Sequence, residues 1–146
     1  FDTYYTSKDT IATRPLPVGY HMETLSRFDP ELRSLWRIEP SWQNANHSIV
    51  RAWQSMTGRA VYAPNGEIVA YALLTPATGD VPQLAVASGH RRMGLATALL
   101  AHHKGHANAP NLRVANVESA YEPFSFFATQ AGLLPGPKQY EMLLRW

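Results

Sequence analysis

The stretch that most constrains how this chain can fold is LAVASGHRRMGLATALL, residues 84–100. It runs from a short apolar segment, through a polar loop with two adjacent arginines, into an Ala- and Leu-rich run. The apolar segment belongs to a predicted strand, VPQLAVAS (81–88), and the last run reads as a helix from about Gly94 to Ala107. A strand feeding a helix through a glycine-containing loop builds an anion site. The first backbone N–H groups of a helix have no partner within it, the helix dipole adds partial positive charge there, and phosphates bind such ends through backbone amides. Gly94 lets backbone approach a ligand, and Ala96 is small enough to keep the helix close to it. Arg91 and Arg92 can add charge-assisted hydrogen bonds. The segment reads as a pyrophosphate cradle. It lacks both the G-x-x-x-x-G-K-[ST] of a P-loop and the G-x-G-x-x-G of a dinucleotide fold.

The rest of the chain alternates in type. Residues 1–18 are polar at first, contain RPLP, and read as an extended arm or linker. GYHMETL (19–25) alternates like a strand. DPELRSLWRI (29–38) starts a helix at Asp29 and Pro30, with Leu32, Leu35 and Trp36 on one face. NHSIVRAWQSM (46–56) is a second helix, placing Ile49, Ala52 and Trp53 together. RAVYAPNGEIVAYALLTP (59–76) is two strands around a PNG turn. After the predicted cradle helix come a strand in LRVANVE, a helix in PFSFFATQAG ending at Gly132, and a last strand in QYEMLLRW. This order predicts an α/β or α+β domain with a mixed sheet over residues 19–146.

Composition narrows the class. The 146 residues suit one domain, and 45% apolar against 16% charged residues is a globular balance. A net charge of +2, with scattered basic residues, does not argue for nucleic acid. With no cysteine there is no disulfide and no thiol chemistry, which fits a reducing cytoplasm. No apolar run approaches the roughly 18 residues of a membrane span, and no signal peptide is visible. The expectation is a cytoplasmic protein that binds neither nucleic acid nor membrane.

The stretch Arg91-Arg92-Met93-Gly94-Leu95-Ala96, with LAV before it and ATALL after it, resembles the acetyl-CoA signature of the GNAT superfamily of N-acetyltransferases. That signature is Gln or Arg, two residues, Gly, one residue, then Gly or Ala. The element order over residues 19–146 follows the family, and YEPFSFFATQAGL is similar to its late helix. The resemblance implies a mixed, mostly antiparallel twisted sheet flanked by helices, whose central strands splay apart around acetyl-CoA. The backbone of Leu84, Ala85 and Val86 would meet the pantetheine arm. The amides of Arg91, Arg92, Met93, Gly94, Leu95 and Ala96 would hold the pyrophosphate, with Asn116 and Phe127 also on the cofactor. The implied reaction is direct attack of an amine on the thioester. It calls for a base for the amine, an oxyanion donor and an acid for the thiolate.

Two positions depart from the family pattern. Its usual thiolate-protonating Tyr is here Ala128, and the Asn of its late helix is Tyr121. Asp80 and Glu118 are the candidate bases; Tyr121 and Tyr140 are candidate acids by chemistry alone. Each carboxylate also has a plain reading, Asp80 as a turn residue and Glu118 as a solvated strand end. Trp36, Arg37, Glu39, Trp42 and His47 lie where the family roofs its acceptor, and Trp36 and Trp42 are the candidate substrate contacts, with core packing as their alternative. Phe124, Phe126 and Phe127 read foremost as core. His102, His103 and His106 read as a surface cluster, not a metal site, since no third ligand or base is apparent.

The resemblance thus implies an acetyl-CoA-dependent N-acetyltransferase acting on a primary amine of a small molecule or peptide. The missing tyrosine leaves a second class open, a non-catalytic acyl-CoA-binding sensor or scaffold. The Pro-containing arm and the start at Phe1 also fit the C-terminal half of a tandem acetyltransferase. Sheet-edge dimers occur among similar proteins, so a homodimer is a further expectation.

Overall fold

A computed structural model describes residues 2–7, 15–27, 32, 35, 49, 51–91, 93–108, 111–117 and 134–135. Its strands fall into two sheets. The first has four antiparallel strands in the order β2 (His21–Thr24), β3 (Thr57–Tyr62), β4 (Ile68–Leu74), β5 (Leu84–Val86). The second is β6 (Asn111–Val117), β1 (Asp2–Ser7), β7 (Leu134–Pro135), with β1 in the middle. The mixed α/β class agrees with this architecture, and the strands predicted within 19–25, 59–76 and 81–88 make up the first sheet.

The hairpin forms where the PNG signal lies. Gly66 takes φ 86°, open to glycine at little cost. The Ala63 and Glu67 backbones close the turn at 2.9 Å, and the Asn65 side chain accepts the Glu67 N–H at 3.0 Å. β4, IVAYALL, is apolar along its length because both of its faces are covered. On one face Val61, Val69, Ala70 and Ala72 pack against Leu95 and Leu99. On the other, Ala60, Tyr71, Leu73 and Ala85 pack against Leu32 and Ile49, from the two predicted early helices. The second of these gives way to a 3-10 turn at Trp53–Ser55, where the Ser55 hydroxyl donates to the Ala52 carbonyl.

The helix of the cradle segment, α1 (Leu95–Lys104), buries Leu95, Leu99, Leu100 and His103. This i, i+4, i+8 stripe lies across β3 and β4. Leu100 joins Leu74, Val81, Leu112 and Val114, so α1 also reaches the second sheet. The helix ends three residues before the predicted Ala107. Gly105 donates its N–H to the His102 carbonyl at 3.2 Å, and the His106 ring Nδ1 donates to the same oxygen at 2.9 Å.

The predicted arm contains β1. Residues 2–7 are extended and pair with β6 on one side and β7 on the other. The predicted late helix and the QYEMLLRW strand lie outside the described residues. Among the described residues, no helix is long and apolar enough to cross a membrane.

Candidate functional site

The two sheets meet at one point and then part. Gly79–Val81 and Arg113 form a parallel bridge, in which Arg113 N–H donates to the Gly79 carbonyl and Val81 N–H to the Arg113 carbonyl, both at 2.8 Å. Beyond it β5 pairs with β4 and β6 pairs with β1. Among the described residues β5 and β6 do not pair with each other, which leaves a V with these two strands as its walls.

The register of β5 shows which backbone groups face the gap. Leu73 N–H donates to the Gln83 carbonyl, and Ala87 N–H to the Val69 carbonyl. Backbone groups alternate along an antiparallel pair, so both groups of Ala85 face β4. The N–H and C=O of Leu84 and Val86 therefore point into the V. Of the three predicted pantetheine contacts, Leu84 turns both of its backbone groups and Val86 its N–H to the gap, while the Val86 carbonyl is engaged by Arg91 and Ala85 faces β4. The Ala85 side chain instead packs with Tyr71 and Leu73.

β5 continues into a 3-10 turn, Ser88–His90, then Arg91, then Gly94 as the N-cap of α1. Gly94 is left-handed, with φ 78° and ψ 13°, a conformation that any Cβ would strain. Among the described residues no side chain caps the helix, and no acidic residue sits in its first turn. The amides at the start of α1 are thus available to an anion. This end fits a pyrophosphate on the observed backbone. The Arg91 guanidinium folds back and donates to the Val86 carbonyl from Nη2 at 3.1 Å and Nε at 3.3 Å. It lies against the open edge of β5, between the gap and the helix end. Met93, Leu95 and Ala96 follow as expected in chain order, although Leu95 is buried and offers only its backbone.

Asp80 lies at the closed end of the V. Its carboxylate accepts from the Thr78 hydroxyl at 2.8 Å and from Arg113 Nε. Asp80 is 29% and Arg113 44% exposed at the side chain, so this is a partly solvated pair. About six residues separate Asp80 from Val86, roughly 20 Å of extended chain. The base candidate and the anion-binding helix end therefore sit at opposite ends of the same cleft wall.

Asn116 is in β6 by its backbone. Arg92, Glu118, Tyr121, Phe127, Trp36 and Trp42 lie outside the described residues, as do Tyr140, Phe124, Phe126, Ala128, Arg37, Glu39 and His47. Three features escaped the sequence reading. Arg113 gave no signal, because its partner is remote in the chain. Tyr20 reaches the cradle loop by a contact spanning seventy positions. His103 is 1% exposed, which corrects its reading as a surface residue. The signal was present, since His103 is eight residues after Leu95 on the same helical stripe. Burial holds its imidazole down at about 4, although the bond that its Nε2–H donates to the Ala72 carbonyl at 3.0 Å acts the other way. His102 is also lowered, by desolvation first and then by Arg59 and His106. The His102 and His106 rings stack at 4.3 Å. Among the described residues, no three His, Cys, Asp or Glu side chains group as metal ligands.

Comparison with known proteins supplies the class. The chain resembles a GCN5-related N-acetyltransferase from Sphaerobacter thermophilus, at TM-score 0.63 and 16% identity over 92% of this chain and 48% of that one. It also resembles a tandem GNAT protein from the clavulanic acid biosynthesis pathway, at TM-score 0.59 and 16% identity over 94% and 54%. A Drosophila protein matches at TM-score 0.63 and 13% identity over 92% and 47%. Likeness at these identities speaks for the fold, and the chain spans about half the length of these three structures. No curated protein matches significantly. The model of the acetyltransferase (GNAT) family matches residues 22–122, more than half of the chain. That span holds most of β2, all of β3 to β6, the V and the cradle, and on it the chain belongs to the GNAT acetyltransferase family, whose fold generally binds acetyl-CoA or another acyl-CoA.

Proposed function

We propose that this chain is an acetyl-CoA-dependent N-acetyltransferase that moves an acetyl group directly to a primary amine of a small molecule or peptide. The observation that carries the reading is the V between β5 and β6 opening onto an uncapped helix N-terminus. The pyrophosphate would lie on the amides after Gly94, and the pantetheine arm along the edges of Leu84 and Val86. In the transfer, the amine N–C bond forms as the thioester C–S bond breaks. The amine proton goes to a carboxylate or to solvent, and the thiolate takes a proton in turn. Asp80, Glu118 and Tyr121 are the proposed proton-handling groups, and Trp36 and Trp42 the proposed acceptor contacts. The engagement of Asp80 by Thr78 and Arg113 favours Glu118 as the base.

That same engagement, with Ala128 at the usual tyrosine position, supports a second reading as a non-catalytic acyl-CoA-binding module. The half-length matches and the tandem neighbour support placing the chain as one unit of a two-domain protein. The first test is thermal unfolding with and without acetyl-CoA, with Gly94→Trp as control. Ligand at about 100 times its Kd stabilises by about 2.7 kcal/mol, which is about 5–10 °C at this size. A shift in the wild type that is lost in Gly94→Trp supports the donor site; no shift at millimolar acetyl-CoA removes the reading. Acetylation of amines by the wild type, abolished by Glu118→Gln or Asp80→Asn, then separates enzyme from module.

A further inference from the structure

The loop between β5 and α1 is held by a residue that belongs to neither. Tyr20 lies just before β2, at the far edge of the four-stranded sheet from β5. Three strand spacings, roughly 14 Å, separate those edges. Nevertheless the Tyr20 hydroxyl lies 2.9 Å from His90 Nδ1 and 3.8 Å from Met93 Sδ. The two rings meet edge to face at 5.8 Å. His90 and Met93 flank Arg91 on the approach to Gly94.

The aim of Tyr20 is fixed locally. Its N–H donates to the Pro17 carbonyl at 3.1 Å, closing a turn. Gly19 within that turn has φ +86°, and a Cβ there would meet Pro64 Cγ at 2.9 Å. The turn thus packs against the β3–β4 hairpin and passes around its end. Leu16, Tyr20 and Met22 pack on the cluster that contains Val69 and Leu95. Because Tyr20 is partly buried there, its ring stays in place without its hydroxyl.

We propose that Tyr20 is a positioning residue for the acyl-CoA cradle, acting through His90 and Met93. The proposal rests on the donor-binding reading above. The phenol has one hydrogen. With His90 Nδ1 unprotonated the phenol donates to it, which fixes the proton of a neutral ring on Nε2. When Nδ1 carries the proton it donates to the phenol oxygen, and the phenol turns its own hydrogen to Met93 Sδ. In both arrangements the loop stays clasped, and the amides after Gly94 keep one geometry for the pyrophosphate. Preorganisation of this kind acts on affinity and leaves the transferred group untouched.

The test is Tyr20→Phe, which removes only the hydroxyl. Calorimetry would measure the Kd for coenzyme A, and ring-nitrogen NMR would read the tautomer of His90. The expected result is an unfolding temperature without ligand close to the wild type, a Kd for coenzyme A raised about fivefold to tenfold, as for one lost hydrogen bond, and His90 ring-nitrogen signals displaced from those of the wild type. His90→Phe should raise the Kd similarly, and the double variant no further than either single one. If the wild type binds coenzyme A and Tyr20→Phe binds it equally well, the positioning role is overturned and the donor site stands. If the wild type fails to bind coenzyme A, the donor reading falls and takes the positioning role with it.

Discussion

His103 makes the fold sensitive to acid, and the size of the effect follows from its burial. The side chain is 1% exposed, packed under α1 and bonded to the Ala72 carbonyl. Desolvation, with His102, His106 and Arg59 adding to it, brings its pKa from the ordinary 6.5 to about 4. The native imidazole therefore stays neutral where the unfolded chain has already taken a proton. Above about pH 6.5 neither state is protonated, and the contribution to stability is whole. As pH falls from about 6.5 to about 4, the unfolded state binds the extra proton and stability drops. At about 1.36 kcal/mol per unit, the loss reaches about 3 kcal/mol. In this size range that is about 6–12 °C of unfolding temperature. Thermal unfolding from about pH 7.5 to about pH 4 would be compared between the wild type and His103→Gln. The glutamine keeps a donor for Ala72 and has no proton to gain. Its unfolding temperature should fall less steeply with acid by about that amount. Parallel curves for the two proteins would refute the reasoning.

Other changes test the site and its supports. Gly94→Ala should cost about 1–2 kcal/mol in urea unfolding, from the left-handed backbone alone, and should weaken binding of coenzyme A as well. Leu99→Ala, at a fully buried position between α1 and the sheet, should cost about 2–5 kcal/mol in the same assay. Arg113→Met removes a half-exposed partner of Asp80 and should change stability by no more than about 1 kcal/mol. If Asp80 is nonetheless the base, the same variant should shift the pH profile of acetyl transfer, whereas Glu118 as the base predicts no shift.

Local chemistry in the sequence determined the cradle and the hairpin. Gly94 and the absence of a capping side chain are properties of consecutive residues, and a helix start exposes its amides wherever it is placed. The PNG turn and the apolar run of β4 are equally local. The family followed from these short-range patterns and their order. What only tertiary structure decided was everything resting on distant pairing. Among the described residues no strand pairs with the outer edge of β5, because β6 pairs with β1, and nothing in FDTYYTSKD announces a central strand. Asp80 is held by Arg113, thirty-three positions away, and the cradle loop by Tyr20, seventy positions before it. Such contacts depend on how sheets and turns stack, and no periodicity in the chain encodes them. His103 lies between the two cases. The helical stripe that buries it is written in the sequence, but the Ala72 carbonyl that accepts its hydrogen bond comes from a strand thirty-one positions earlier.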